Sequence, residues 1–494
     1  MGSFPWPSSA ERQSTCGREP PDLYRGYWSN TGLVKTRLPP GPRLPTLVQS
    51  MLLRFHWPRF VAACERRYGK TFTLKVTSLG PVVFLADPHD IKSVFTGDQS
   101  LYHAGEANAA LRGLLGDKSL LVLDGDPHRE WRRLLLMALG RDAVTRHTDM
   151  IIEVTAANVC SWPLDRQFPV ARRLEQIALE VILRAVIGAT NPARLTELRE
   201  VIPRILNMPP FATLAIAYPD LRRRLPWRSV NRDFESLDRI LLAEIADRRA
   251  DPDLDARTDS LAILVRTAAG DVNGQPITDA ELRDQLVTLL VAGHDTTAAA
   301  LSWTLERLVR NPTVLETARR AAYDSAAGDP AGDDYLDGLL KESLRTRPVV
   351  FNVARVLQRN VELAGYSLPA GITVAPAIGL VHACPESYPE PKRFVPERFI
   401  SNTVSPATWI PFGGGNRRCP GAALAMFEMR IVLRELLCRV DFNLIEDGGE
   451  RQRVKHFALV PHRGARISVG SVGRSGCARP VDGSPPALEA FPGS

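Results

Sequence analysis

Ten residues near the C-terminal end constrain this chain more than any other stretch. Phe412-Gly413-Gly414-Gly415-Asn416-Arg417-Arg418-Cys419-Pro420-Gly421 places three glycines ahead of a cysteine, and the AALAMFEMRIVLRELL that follows has helical spacing. Glycine, lacking a Cβ, lets backbone approach a bulky flat partner closely. A cysteine where a helix begins has its thiolate stabilised by unpaired N–H groups and the helix dipole. Such a thiolate can be an axial ligand to haem iron, where it pushes electron density toward O–O cleavage. A buried free cysteine after a glycine turn is the plainer reading, and the rest of the sequence must decide between them.

The composition is that of a globular protein: 494 residues, 44% hydrophobic and 24% charged, which excludes collagenous, coiled-coil, mucin-like and wholly disordered chains. Sixty-two basic residues against 55 acidic give a net +7, a mild excess that suits a local basic docking face and not nucleic-acid binding. Seven cysteines, odd in number and never spaced C-x-x-C, predict neither a disulfide framework nor a zinc ribbon. The expectation is a reduced, cytoplasmic protein, a monomer with no signal peptide and no transmembrane anchor, since no apolar run reaches the roughly 20 residues that a spanning helix needs.

Residues 1–37 read as a disordered arm, leading into the stiff Leu38-Pro39-Pro40-Gly41-Pro42, and residues 471–494 as a disordered tail. The body from 38 to 470 reads as one domain, mostly α with a small β region. Thr71–Val76 and Val82–Leu85 predict a hairpin, Asp87-Pro88 a helix start, and Val353–Val356 and Thr373–Ile378 short strands on either side of Pro369-Ala370-Gly371. From about 130 to 345 helical spacing dominates. Its longest segment, Thr278 to Arg310, opens on a Thr278/Glu281 capping box and stops at Asn311-Pro312. Ala292-Gly293-His294-Asp295-Thr296-Thr297 interrupts that apolar helix, a costly insertion unless it serves something; hydroxyls bonded back to carbonyls would give a bent but inert helix.

The pattern F-x-x-G-x-R-x-C-x-G, met at Phe412, Gly415, Arg417, Cys419 and Gly421, resembles the haem-binding loop of the cytochrome P450 family. Three further motifs stand in the family's order, and the resemblance spans about 38 to 468. It implies haem b bound by this loop, with Cys419 as the axial ligand of the iron and the long central helix lying over the haem. It makes Asp295 and Thr296 the acid–alcohol pair that delivers protons for dioxygen cleavage. It makes Glu342 and Arg345, with Arg398 from Pro396-Glu397-Arg398-Phe399, a buried structural trio. It assigns His128 and Arg132, at helical i,i+4 spacing in Asp126-Pro127-His128-Arg129-Glu130-Trp131-Arg132, to a haem propionate, with Arg355 and Arg417 as further partners. In some branches an arginine stands four residues after the tryptophan; here Leu135 does, so Trp131 is read as packing.

The activity implied is that of a soluble bacterial monooxygenase, actinobacterial in its Ala/Arg-rich usage, inserting one oxygen atom of O2 into a C–H bond of a lipophilic small molecule. Seventy-five residues follow Cys419, too few for a reductase domain, so electrons are expected from a separate ferredoxin and ferredoxin reductase, and indirectly from NAD(P)H. Arg129, Arg133, Arg418 and Arg430 are the candidate docking face for such an acidic partner. The variable stretches near 100–122 and 200–230, including the apolar Met208–Tyr218, are the candidate substrate-selecting segments. Two readings compete: a haem-thiolate peroxygenase or isomerase needing no reductase, which the acid–alcohol pair argues against, and a non-catalytic haem-binding ligand sensor.

Overall fold

The computed structural model describes residues 38–77, 79–140, 145–189, 191–208, 228–268, 276–400 and 404–473. The expected arm, the expected tail from 474 onward and the apolar segment from Pro209 to Tyr218 lie outside the described residues, whereas Ser471 and Val472, expected to open that tail, belong to the last strand, Arg466–Val472. Among the described residues, twelve helices of nine or more residues carry the fold: α1 (Thr46–Tyr68), α2 (Pro88–Thr96), α3 (Gly125–Ala138), α4 (Thr148–Val159), α5 (Ala171–Ile182), α6 (Pro192–Leu206), α7 (Arg228–Arg249), α8 (Ser260–Ala268), α9 (Asp279–Leu308), α10 (Pro312–Ala326), α11 (Pro330–Thr346) and α12 (Ala422–Arg439). The strands are short: β1 (Thr71–Val76), β2 (Gly80–Leu85), β3 (Tyr102–His103), β4 (Gln167–Pro169), β5 (Arg355–Leu357), β6 (Val361–Leu363), β7 (Tyr366–Leu368), β8 (Thr373–Pro376), β9 (Val440–Asn443), β10 (Gln452–Lys455), β11 (Ala458–Pro461) and β12 (Arg466–Val472).

The largest sheet has the order β1-β2-β8-β5-β3, so strands whose paired residues Val82 and Thr373 are 291 apart in sequence are neighbours, with β2 and β8 parallel. A second sheet, β4-β12-β9, ties the C-terminal end to the middle of the chain. The expected strand at 353–356 starts only at Arg355 and runs to Leu357; the one expected to reach Ile378 stops at Pro376, and a helical turn begins at Ile378. The Pro369-Ala370-Gly371 turn leads out of the small β6–β7 hairpin into β8, a pair the sequence reading did not contain.

The long helix α9 organises the interior. The Thr278 hydroxyl accepts from the Glu281 N–H, and the Glu281 carboxylate accepts from the Thr278 N–H, closing the capping box. Its first half contributes Leu282, Leu286 and Leu290 to a core shared with α3 and α5 to α8; its second half contributes Leu301, Leu305 and Leu308 to another shared with α4 and α10 to α12. Ala292 to Thr297 belong to neither core. The polar interruption therefore falls where one core ends and the next begins. Half-buried Ala292, Gly293 and Thr296, spaced i, i+1, i+4, share one face, while His294 and Asp295 are buried.

Candidate active site

The cysteine loop is shaped by contact with α2. Gly413 and Gly415 have φ of +70° and +62°, which disfavour any side chain. A Cβ at Gly415 would also stand 1.7 Å from the Phe95 carbonyl oxygen, and one at Gly414 would stand 2.2 Å from the Phe95 ring. Close approach does demand these glycines, but the partner is the protein's own Phe95. The Cys419 N–H donates to the Phe412 carbonyl at 2.9 Å, closing the loop, and Phe412 packs edge-on against Trp409 at 6.0 Å. Gly421 then leads into α12.

Cys419 is exposed, yet burial pushes its thiol pKa up, against the opposing effects of the Gly421 N–H, Arg132 and Arg418. Cys64, Cys384 and Cys438 are also free thiols.

Beside the thiol is a concentration of positive charge. His128 of α3 is buried, its Nδ1 has no hydrogen-bond partner, and burial together with Arg417, Arg132 and Arg355 lowers its pKa to about 3. Burial also lowers Arg355 and Arg417 to about 10. Arg132 is lowered by burial, while Cys419 acts to raise it, so the guanidinium lies within electrostatic reach of the thiol. Among the described residues the one carboxylate paired with this group is Asp124, which holds Arg417; Arg417 also donates to the Leu123 carbonyl at 2.7 Å. Asp124 is itself engaged, accepting N–H bonds from Ala104, Gly105 and Glu106 at 3.0, 2.9 and 2.9 Å. The structure thus brings His128, Arg132, Arg355 and Arg417 together, with a net positive charge left over.

The central-helix pair divides. The Thr296 hydroxyl donates to the Ala292 carbonyl at 2.7 Å and stays with its own helix. Asp295 is drawn instead to the β10–β11 hairpin, with Lys455 Nζ at 3.3 Å and His456 Nδ1 at 3.4 Å, and with His294 Nδ1 at 3.4 Å. Burial would raise the Asp295 pKa, but the His456 hydrogen bond and the charges of Lys455, His294 and His456 outweigh it and hold it at about 2. Lys455 also reaches Glu175 of α5 at 2.9 Å.

The third cluster closes on itself. Arg345 donates to both Glu342 oxygens at 2.7 and 2.8 Å and to the carbonyls of His382, Pro391 and Arg393. Glu342 also accepts the Val395 N–H at 2.9 Å and has Arg398 Nε at 3.7 Å. The candidate docking face is smaller than expected: Arg129 pairs with Asp126, and Arg430 lies 3.3 Å from Asp337 and 3.5 Å from Asp333. Arg133 and Arg418 remain exposed.

Sequence reasoning missed Asp124, Lys455, His456 and Glu428. Glu428 is fully buried in α12, its Oε1 has no partner, and burial raises its pKa to about 8. It lies between Leu424 and Val432 at i,i+4 spacing on a buried face, a signal the sequence did contain.

Comparison with known proteins converges on one family. The family profile described as Cytochrome P450 matches residues 39–467. A Mycobacterium tuberculosis protein named as a cytochrome P450, 135B1, is 57% identical over 439 residues, covering 89% of this chain and 93% of its own length. A second from the same organism, 135A1, is 40% identical over 440 residues, covering 88% and 95%. Among solved structures, the retinoic acid-bound cyanobacterial CYP120A1 superposes with a TM-score of 0.76 at 26% identity, covering 88% of this chain and 100% of that one. A match that extends through the cysteine loop, the central helix and the largest sheet places this chain in the cytochrome P450 family, whose general activity is that of a monooxygenase.

Proposed function

We propose that this chain is a haem-thiolate monooxygenase that inserts one oxygen atom of O2 into a C–H bond of a lipophilic small molecule, using electrons from a ferredoxin and its NAD(P)H-dependent reductase. The observation that carries this reading is an uncompensated positive cluster with an orphaned imidazole nitrogen, within electrostatic reach of the exposed Cys419 thiol. Haem b fits both features, since it presents an iron for the thiolate and two propionates for the cations, and when bound it supplies the activation of O2.

The residues then take distinct roles. Cys419 ligates the iron as a thiolate, with the Gly421 N–H directed at its sulfur; Phe412 and Gly415 hold the loop. His128, Arg132, Arg355 and Arg417 pair with the propionates, the neutral His128 donating through Nδ1. Asp295, ionised at neutral pH and hydrogen-bonded to His456, lies next to Thr296 on α9, and the Thr296 hydroxyl, which donates to Ala292, would orient a water on the path by which protons arrive. Glu342, Arg345 and Arg398 touch none of this and hold the chain between α11 and the cysteine loop in place. For the redox partner, a cleft on the cysteine loop lined by Lys92, Lys341 and Arg418 around Phe95, Trp409 and Phe412, with no carboxylate among its described residues, supports docking of an acidic protein. The retinoic acid held by the cyanobacterial relative supports a lipophilic substrate class.

The test is a titration of the haem-loaded protein with fatty acids, sterols and terpenoids while its absorption spectrum is recorded. One class is expected to shift the iron from low to high spin and then to be hydroxylated faster with ferredoxin and reductase than with peroxide. A faster peroxide-driven rate would make the protein a peroxygenase, and product-free binding would make it a sensor.

A further inference from the structure

Asp124 stands immediately before α3, where an aspartate ordinarily accepts an N–H from the first turn of the helix it precedes. It makes no such bond. Its carboxylate is turned instead toward the short helical turn Ala104–Ala107 and toward the cysteine loop. Oδ1 accepts the Ala104 and Gly105 N–H groups and the Arg417 guanidinium, while Oδ2 accepts the Glu106 N–H. Gly105 lies so close that a Cβ there would stand 2.5 Å from the Val122 carbonyl oxygen and 2.7 Å from both the Leu123 carbonyl oxygen and Asp124 Oδ2. One carboxylate thus holds two distant pieces of chain and leaves its own helix uncapped.

Both pieces bear on the cation cluster. Arg417 belongs to it, and so does Arg355 on β5, whose Val356 and Leu357 pair with His103 and Tyr102 of β3 directly before the turn. The Glu106 carboxylate accepts from Gln358 Nε2 at 2.6 Å, which fixes the turn to the end of β5 as well. The Asp124 charge acts on Arg355 and Arg417 alike. What this carboxylate draws from the guanidiniums is withdrawn from a propionate, and what the three N–H groups draw from the carboxylate is given back. Negative charge beside a haem also disfavours the electron that reduces its iron, the more so inside a protein of low dielectric. We propose that Asp124 is a positioning residue that sets the electron affinity of the haem, and that the Ala104–Ala107 turn adjusts it through its N–H bonds to Asp124. The turn lies inside the stretch expected to select substrate, so a lipophilic molecule that displaces it changes how readily the haem is reduced without touching the iron. This inference rests on the haem-thiolate reading.

The test is a spectroelectrochemical titration of the haem-loaded full chain. Asp124→Asn keeps Oδ1 as an acceptor and removes the charge. At a fixed applied potential it should raise the ratio of reduced to oxidised haem about tenfold, which is about 59 mV for a one-electron couple. Gly105→Ala keeps every charge but pushes the turn off the carboxylate, leaving Asp124 less compensated, so it should lower that ratio by about threefold. A role confined to folding gives no reason for opposite signs. Asp126→Asn removes an exposed carboxylate paired with exposed Arg129, and should leave the ratio within about twofold of wild type. Either of the first two variants decides alone should the other fail to fold or to hold haem. An unchanged ratio in a variant whose haem spectrum and melting temperature match the wild type overturns the inference and leaves the haem-thiolate reading standing. A shift of the same sign in both variants, or an equal shift in Asp126→Asn, does the same. A wild-type chain that takes up no haem overturns the reading and the inference together.

Discussion

Two buried charge clusters in this molecule use the same residue types and end in opposite states. At Glu342 and Arg345 the books are closed: both carboxylate oxygens and the guanidinium nitrogens have partners within the protein, and Arg398 adds a second cation. At His128, Arg132, Arg355 and Arg417 one carboxylate, Asp124, faces three guanidiniums, and an imidazole nitrogen has no partner. Burying charge without compensation costs several kcal/mol per ion on the order-of-magnitude scale, so a fold retains the open cluster only if something else completes it. The contrast distinguishes the two proposed roles, structural network and binding site, without reference to any motif.

The comparison breaks most directly at its closed end. Glu342→Ala leaves the Arg345 guanidinium buried on carbonyl oxygens alone and should cost about 3–5 kcal/mol, the penalty for orphaning one half of a buried pair. Thermal melts of the apoprotein read this out. A loss below about 1 kcal/mol would show that the carbonyls suffice and that the cluster is not closed by its carboxylate.

Glu428 sharpens the comparison as a buried acid with no countercharge. Unfolded, a glutamate ionises near 4.5; in the fold, burial holds this one neutral up to about 8. Between those values the native state keeps a proton that the unfolded chain releases, so its contribution to stability falls as pH rises. Glu428→Gln should therefore stabilise by about 3 kcal/mol at pH 7 and by almost nothing near pH 4, with the wild-type melting temperature falling more steeply across that range. Parallel pH profiles for the two proteins would place the titrating group elsewhere.

Which of these features the sequence disclosed depends on how local their causes are. The cysteine loop was legible because glycine and proline restrict backbone where they stand, and the ends of α9 were legible because Thr278, Glu281 and Asn311-Pro312 act within a few residues. Asp124 and Arg417 are 293 residues apart, and Lys455 and Asp295 160 apart; nothing near either residue announces the other. The same distance effect hid the sheet order and removed Arg430 from the docking face, since its partners Asp333 and Asp337 arrive on α11. The glycines were read correctly as marks of close approach, but the spacing carried no information that Phe95 would be what they approach.

The open cluster makes the complementary prediction. Arg355→Leu removes a cation from a group with too many, so the apoprotein should be unchanged or gain about 1 kcal/mol, the sign opposite to Glu342→Ala. Haem retention should move the other way: transfer to a scavenging haem protein should speed up about tenfold, as expected on losing one charge-assisted contact. If the apoprotein is destabilised as severely as by Glu342→Ala, Arg355 belongs to the structural class and the distinction between the clusters fails.

Asp295 lies between the two cases, compensated by Lys455 and His456, which the β10–β11 hairpin carries to it, with His456 in a left-handed backbone at φ +54°. Its pKa of about 2, below the ordinary 3.8, means that its stabilising contribution is present above 3.8 and is lost as pH falls through 2. Lys455→Met removes one compensating charge and leaves His456 in place. The Asp295 pKa should rise by about one unit, and the stability lost at pH 7 should be about 1 kcal/mol, shrinking toward zero as the carboxylate is protonated in both proteins. Carboxylate titration by infrared difference spectroscopy and pH-dependent melting measure the two quantities separately. An unshifted pKa would mean that His456 and His294 hold the carboxylate down, and would leave Lys455 paired with Glu175 as a brace between the hairpin and α5.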